Sequence, residues 1–238
     1  AKKKTHPLKT IKILCRNKYF ILITLAFAVI YTSLGLTGGS RIYYAKYVLG
    51  DEMLNSTMTM FNYIPTILTI MLIPVFTKRF GKIKALFVGF LFYAAGLVLE
   101  IAGPVNLPMI YTGLVLQGIG HAALYSCLFA IVGDVVDYRE WKDGIREEGI
   151  TYSVTSFGQK IGTRLGTAAL GWILAAGHYD GTAAVQSASA IFAIKGLFLY
   201  LPLVITVIVL IIWYLFMGID KIYPTVRKEL DERREKAE

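Results

Sequence analysis

The sequence predicts an all-α membrane protein with six transmembrane helices. Of its 238 residues, 55% are hydrophobic and only 17% are charged, which is more apolar than a soluble domain of this length. Four runs contain no Asp, Glu, Lys or Arg, and each is long enough to cross a hydrocarbon core, which takes about 20 helical residues. These runs are 19–40, 53–77, 101–133 and 196–219. Two further stretches, 85–102 and 150–176, are mostly apolar and complete the six.

The placement of the basic residues predicts the orientation of these helices. Lys and Arg cluster before the first span, between the second and third, between the fourth and fifth, and after the last, and they account for a net charge of +9. The connections near Asn106 and Tyr179 carry none. This positive-inside pattern predicts a multi-pass protein of the cell (inner) membrane with both termini in the cytoplasm. It therefore argues for a lipid bilayer and against nucleic acid as the partner of the positive charge.

The first three helices are delimited by charge and by small residues. Residues 1–18 are predicted to form a basic cytoplasmic linker, and the six-helix bundle spans 19–217. The first helix covers 19–49, where Gly38 and Gly39 either break it or allow close approach of a neighbour. The second covers 56–76 with a kink expected at Pro65, and the third covers 85–102.

The last three helices follow the same logic. A turn rich in Gly and Pro at 103–108 separates the third helix from the fourth, which covers 109–133. The fifth covers 150–176, and a small polar loop leads to the sixth at 192–216, which contains Pro202. Residues 218–238 are predicted to form a charged cytoplasmic tail that is helical from Thr225.

Lys160 and Arg164 are the most informative residues of the chain. They lie four positions apart on one helical face, and Lys160 lies about 15 Å along the fifth helix from residue 150. Charges at this depth are costly and usually face a bundle interior or a wet cavity, so the pair predicts a polar passage. Glu100 is expected near the outer end of the third helix, so that an acidic partner would come from outside the chain. With Arg41, the two cations favour an anionic ligand, and pairing with external carboxylates is the alternative.

Uncharged polar residues supply candidates for sugar binding. Gln117, His121 and Tyr125 recur at four-residue steps and form one polar stripe on the fourth helix, and Thr163 lies between the two cations. Tyr43 and Tyr44 carry rings that can stack on a sugar. The alternative for the histidine and the tyrosines is ordinary packing.

Two segments carry dense charge on the predicted cytoplasmic side. The connection 74–84 (PVFTKRFGKIK) is short and basic, and the segment 133–149 (GDVVDYREWKDGIREEG) is predicted to be a loop that mixes acidic and basic residues. Ion pairs that form in one state and exchange in another suit an alternating-access gate, and a solvated loop is the alternative. The candidate gating residues are Asp134, Asp137, Tyr138, Arg139, Arg146 and Glu148.

Segment 133–149, followed by Thr151-Tyr152-Ser153 and Phe157-Gly158-Gln159-Lys160, closely resembles the glycoside–pentoside–hexuronide:cation symporters. Supporting matches are Tyr43-Tyr44, the stretch 47–51 and the run 118–121. The resemblance covers essentially the whole chain and implies the C-terminal six-helix half of a major facilitator fold. The basic connection 74–84 resembles the latch motif of the same superfamily.

The resemblance implies secondary active transport of a sugar or glycoside, such as a hexuronide, by symport with Na⁺ or H⁺. It implies no enzyme activity and no cofactor beyond the coupling cation, which carboxylates of an N-terminal six-helix half would mainly bind. That half would belong to the same longer chain or to a separate subunit. Two alternatives stay open: an uncoupled homodimeric facilitator or channel, and a non-transporting half-transporter remnant.

Overall fold

The computed structural model describes residues 18–144, 146 and 148–235, and these residues form nine α-helices and one short π-helical segment without any strand. The predicted linker lies outside the described residues except for Lys18. The helices are α1 (Lys18–Tyr47), α2 (Leu54–Ile70), α3 (Ile73–Phe80), α4 (Lys82–Ala102), α5 (Leu107–Asp143), α6 (Glu148–Ala176), α7 (Ala188–Lys195), α8 (Leu201–Phe216) and α9 (Gly218–Glu235), with the π segment Gly196–Tyr200 between α7 and α8.

Four helical stretches of the described chain are long and apolar enough to cross a membrane: α1, α4, α5 and the continuous stretch from α7 to α8. The bent pair α2–α3 makes a fifth when it is counted as one span. Helix α6 is 29 residues long but does not pass the same test of composition. The predicted span that does not pass is therefore the fifth, which carries Lys160 and Arg164.

Helices α1 and α6 run parallel and pack closely along their length. The contact depends on glycine, because a Cβ at Gly162 would lie 2.4 Å from the carbonyl oxygen of Ala28, and one at Gly166 would lie 2.1 Å from that of Thr32. Small residues at such steps let two membrane helices approach at backbone distance. Since α1 stays helical to Tyr47, Gly38 and Gly39 do not break it. A Cβ at Gly39 would lie 2.9 Å from Cδ1 of Leu170, so Gly39 permits close approach, while one at Gly38 would have nothing within 4 Å.

Helices α4 and α5 form an antiparallel hairpin and pack against each other as closely as α1 and α6 do. A Cβ at Gly96 would lie 2.4 Å from the carbonyl oxygen of Gly113, and one at Gly120 would lie 2.5 Å from that of Gly89. The turn between the helices ends at Asn106, whose side chain accepts a hydrogen bond from the backbone N–H of Met109 and so caps α5.

The second predicted span is bent between α2 and α3. The structure keeps Pro65 inside a continuous helix, and the chain turns by 55° at the break between α2 and α3. Pro74 sits at the start of α3, where a missing N–H costs no helical hydrogen bond. The large bend of this span thus lies at residues 71–72, and the kink at Pro65 stays a prediction.

The charged segment after the fourth span is helical, whereas the sequence predicts a loop there. Helix α5 continues from the apolar span through Asp143, and Gly144 ends it in the left-handed conformation with φ 66°. The prediction that residues 134–143 form a loop is wrong, because these charged residues extend the helix beyond the apolar span. Helix α9 begins at Gly218, seven residues before the predicted start at Thr225, and packs against this extension.

Asp220 of α9 fastens the tail to the bundle. Its Oδ2 accepts hydrogen bonds from the backbone N–H groups of Ile83 (3.1 Å) and Lys84 (3.2 Å), which are the first free donors of α4. Gly81, with φ 92°, makes room for the carboxylate, since a Cβ there would lie 2.7 Å from Oδ2. Burial raises the pKa of Asp220, and the two N–H donors oppose this rise.

Candidate functional site

Helix α6 exposes both polar and apolar side chains on the outside of the bundle. Lys160, Thr163 and Arg164 are all exposed, as the predicted shared face of the two cations requires. The exposed large side chains of α8 are apolar apart from one tyrosine: Val204, Val207, Ile208, Ile211, Tyr214 and Leu215. Helix α6 also exposes Phe157, Leu165 and Trp172, so it differs from α8 by its exposed cations and not by a lack of apolar surface. Because charges are costly against lipid tails, the part of α6 around Lys160 and Arg164 suits a polar or protein environment, while the face of α8 suits lipid.

Lys160 lines an open groove. The groove has a volume of about 390 Å³, and its other lining residues are Tyr152, Ser153, Ser156 and Phe157. The hydroxyl of Tyr152 donates to the carbonyl of Phe129 at 3.5 Å, which ties this part of α6 to α5. The ammonium group is thus not enclosed by hydrocarbon side chains, and hydroxyl groups lie beside it.

The polar stripe of α5 divides into two internal contacts and one open residue. Gln117 is buried, and its Nε2 donates to Oε1 of Glu100 at 2.7 Å. His121 Nδ1 lies 3.3 Å from Oδ1 of Asn62. Tyr125 is 44% exposed, so it is the member of the stripe that an external ligand can reach.

Glu100 supplies an acidic group near Arg41 from within the chain, while the expectation that an acidic partner of Lys160 comes from elsewhere stays a prediction. Its side chain is fully buried between α4 and α5, and it lies within electrostatic range of Arg41. Arg41 donates from Nη1 to Oγ1 of Thr59 at 3.0 Å and lies near Tyr63 and Tyr125. The fold therefore places a buried carboxyl and a guanidinium group together inside this bundle.

The two neighbouring tyrosines of α1 have different environments. Tyr44 is fully buried, stacks on Phe198 at 4.4 Å and donates its hydroxyl hydrogen to the carbonyl of Pro104. It is a core residue here, contrary to its proposed place in the cavity. Tyr43 is partly exposed beside Tyr179 and lines an outer groove of about 150 Å³, so only this tyrosine is open to a ligand.

Arg146 is the centre of an ion cluster at the end of α5. It contacts Asp137 at 3.1 Å, and it also pairs with Glu140 and Glu148. The hydrogen bond from Arg146 to Glu140 raises the pKa of the guanidinium group above its usual value. Helix α9 joins the cluster because Arg234 pairs with Glu140 at 2.8 Å. Of the predicted gating residues, the structure thus brings three together, namely Asp137, Arg146 and Glu148.

The other three predicted gating residues lie in different surroundings. Asp134 is buried and pairs with Lys82. The ring of Tyr138 packs edge-on against Tyr19 at 5.1 Å. Arg139 is 2% exposed, in contrast to the exposed Arg146.

Comparison with known proteins agrees with this architecture. Residues 1–221 match the family described as MFS/sugar transport protein. The chain belongs to this family. Among its relatives, the isoprimeverose transporter of Lactiplantibacillus pentosus is 31% identical over 97% of the chain, which is 48% of the transporter. The glucuronide carrier protein homolog of Escherichia coli K12 is 27% identical over 95% of the chain, which is 49% of that protein. A putative sulfoquinovose importer of the same strain is 27% identical over 98% of the chain, which is 50% of the importer.

Membership of the MFS/sugar transport family confirms the resemblance to the glycoside–pentoside–hexuronide:cation symporters and the prediction of an all-α membrane protein. It also confirms that the chain is related to transporters and not to enzymes. The chain spans about half the length of the curated relatives that it matches.

Several residues of the site were missed at the level of sequence. Asn62 is 1% exposed, and its Nδ2 donates to the carbonyl of Leu114 at 3.2 Å. Its Oδ1 lies next to Nδ1 of His121. Thr59, Asn62 and Thr66 recur at helical spacing in an uncharged run, and this stripe was the available signal. The contacts of α9 with the ion cluster had no comparable signal, because they join residues about 90 positions apart.

Proposed function

We propose that the chain is the C-terminal half of a transporter that carries an anionic sugar or glycoside by symport with Na⁺ or H⁺. The observation that carries this proposal is the exposed surface of α6, where Lys160 and Arg164 project beside a hydroxyl-lined groove. A carboxylate or sulfonate forms strong charge-assisted hydrogen bonds with such groups. Relatives named for a glucuronide and for sulfoquinovose, both anions, support this class of cargo.

The remaining half would cover the open side of the bundle. The chain accounts for about half of each relative, and α2 exposes the apolar side chains of Ile64, Ile67 and Leu68 while α6 exposes charge. An N-terminal six-helix half, in the same longer chain or in a separate subunit, would enclose the cations in a cavity at mid-membrane. In major facilitator folds the cargo binds at such an interface between two bundles.

The cytoplasmic ion cluster would then act as part of the gate. Both termini are proposed to lie in the cytoplasm, which places Arg146 and its carboxylate partners on that side. Exposed ion pairs contribute little to stability, so they can exchange when one bundle rocks against the other. A coupling cation that favours the cargo-binding state raises cargo affinity, and the cargo raises cation affinity by the same factor.

Uptake into proteoliposomes tests this function. The full chain, with any six-helix partner that copurifies, is reconstituted and supplied with a labelled glucuronide or with isoprimeverose. Lys160→Ala and Arg164→Ala are each expected to lower glucuronide uptake about 10- to 100-fold, the equivalent of one lost charge-assisted hydrogen bond. Lys228→Ala removes an exposed charge from the tail and serves as the control.

The outcomes separate the competing functions. Loss of glucuronide uptake with retained isoprimeverose uptake supports cation-based selection of an anion. Equal uptake by all variants contradicts it. Uptake that ignores Na⁺ and proton gradients identifies an uncoupled facilitator.

A further inference from the structure

Glu100 occupies a site that the fold constructs around it. The residue is 0% exposed near the outer end of α4, and Gly113 on α5 makes room for it, since a Cβ at Gly113 would lie 2.6 Å from Cγ of Glu100. Gln117 donates to Oε1, while Oε2 is buried and has no hydrogen-bond partner. A buried carboxylate with one unsatisfied oxygen is costly, and binding a proton there removes the charge.

Arg41 is the nearby cation, but it is not paired with this carboxyl. Its Nη1 donates to Thr59, and its buried Nε has no hydrogen-bond partner. Among the described residues, no ion pair joins it to Glu100. Arg41 is also within electrostatic range of Tyr63 and Tyr125, which are 49% and 44% exposed, so it has both the buried carboxyl and exposed side chains among its neighbours.

We propose that Glu100 is a proton-binding site within this bundle, and that its protonation makes Arg41 available to the anionic group of the cargo. The inference rests on the proposed function and adds a proton site to the half that supplies the cations. When Glu100 is ionised, its charge already compensates Arg41. When Glu100 is protonated, the guanidinium group needs another anion, and the cargo supplies it. Proton and anion therefore bind together, and each raises the affinity of the other.

Other titratable groups face this pair, and the test must separate them from Glu100. Tyr44 of α1 and Tyr93 of α4 lie within electrostatic range of the carboxyl, and the hydroxyl of Tyr44 is already bonded to the carbonyl of Pro104. His121 of α5 lies within range of Arg41. Gln117 is the uncharged neighbour from α5. Of these groups, His121 is the one with an ordinary pKa near neutrality, so it needs its own variant.

The first measurement needs no cargo. Infrared difference spectra of the full chain in lipid nanodiscs, recorded through a pH titration, report the C=O band of a protonated carboxyl. We expect a titrating band that Glu100→Gln removes and His121→Asn retains. Gln matches the size of a protonated Glu and can still accept the hydrogen bond from Gln117, so the fold is kept. A spectrum without any band that depends on Glu100 overturns the proton site, whatever the transport assay shows.

The second measurement follows the binding of D-glucuronate to the same preparations. We expect the affinity of the wild type to fall up to about tenfold per pH unit as Glu100 loses its proton, which is the slope for one linked proton. Glu100→Gln should bind at the high-affinity level without this slope, and Arg41→Gln should lose binding at every pH. An unchanged slope in Glu100→Gln, or its loss in His121→Asn, contradicts the coupling. If the spectra contain the Glu100 band but the wild type does not bind glucuronate, the proposed cargo is wrong while the proton site is supported.

Discussion

Lys82 Nζ lies 2.6 Å from Oδ1 of Asp134, and this contact joins the start of α4 to the charged C-terminal part of α5. The side chain of Asp134 is 7% exposed and that of Lys82 is 34% exposed. In the sequence these residues belong to two separate charged motifs, the basic connection 74–84 and the mixed segment 133–149. The fold makes them one contact that holds the α4–α5 hairpin at the end opposite its connecting turn.

The first prediction concerns this pair. Asp134→Asn or Lys82→Met should each destabilise the bundle by about 1–3 kcal/mol, less than for a fully buried pair because Lys82 is partly solvated. The double variant should recover part of the loss, since it leaves no unpaired buried charge. Thermal unfolding of all four proteins measures the coupling. The same cycle on the exposed pair Lys46–Glu52, 3.5 Å apart, should give about 0–1 kcal/mol. Equal coupling in the two cycles would contradict a role for burial.

The second prediction tests the close packing of α1 and α6. Gly162→Ala should destabilise the protein by about 1–3 kcal/mol, because the new methyl group would meet the backbone oxygen of Ala28, which cannot move aside easily. Gly171→Ala on the same helix adds the same methyl group where nothing lies within 4 Å, and it should be neutral or slightly stabilising. Melting temperatures of the two variants in detergent decide the point. Similar losses in both would show that the effect does not come from the interface.

How far the sequence predicts this molecule depends on the range of the interactions. The apolar runs predict the spans, because each run must satisfy its own backbone hydrogen bonds as a helix. The charges of residues 134–143 predict a loop because an apolar span ends before them, but the helix continues through Asp143 and is capped by Gly144. Glu100 was treated as an outer-end residue without a partner, since only tertiary packing brings it to Gln117 of α5. The prediction that Lys160 and Arg164 share a face needed only helical periodicity.

The third prediction concerns the cap that Asp220 places on α4. Asp220→Ala should cost about 0.5–2 kcal/mol, as for the loss of other side-chain caps. An acid whose pKa is raised by folding loses stability as the pH rises from its ordinary pKa through the raised value, so the ionised form of Asp220 is the less favourable one. Asp220→Asn keeps an acceptor and removes the charge. It should therefore match or exceed the wild type at neutral pH and remove this part of the pH dependence. Chemical unfolding across pH measures both effects, with the exposed Asp231→Asn as control.

The fourth prediction addresses the proposed gate. Arg146→Ala removes the centre of the cluster but should lower stability by less than about 1 kcal/mol, because these ion pairs are exposed. If the pairs exchange during rocking, the variant should change the rate of cargo exchange while cargo affinity stays the same. Arg227→Ala, which breaks only an exposed pair with Asp231 within α9, should change neither quantity. Unchanged exchange rates in Arg146→Ala would remove the cluster from the gating mechanism.

The fifth prediction tests the orientation in the membrane. In a background with Cys15 and Cys127 replaced by alanine, Val105→Cys places a thiol in the connection between α4 and α5, where Val105 is 65% exposed. An impermeant maleimide should label it in intact cells, because the connections without Lys or Arg are proposed to face outward. Lys78→Cys, on the exposed basic segment, should be labelled only after the membrane is permeabilised. Val185→Cys, in the connection between α6 and α7, and Lys221→Cys, in α9 after the last span, repeat the comparison. The opposite pattern at both pairs of positions would reverse the topology and place the Arg146 cluster at the outer surface.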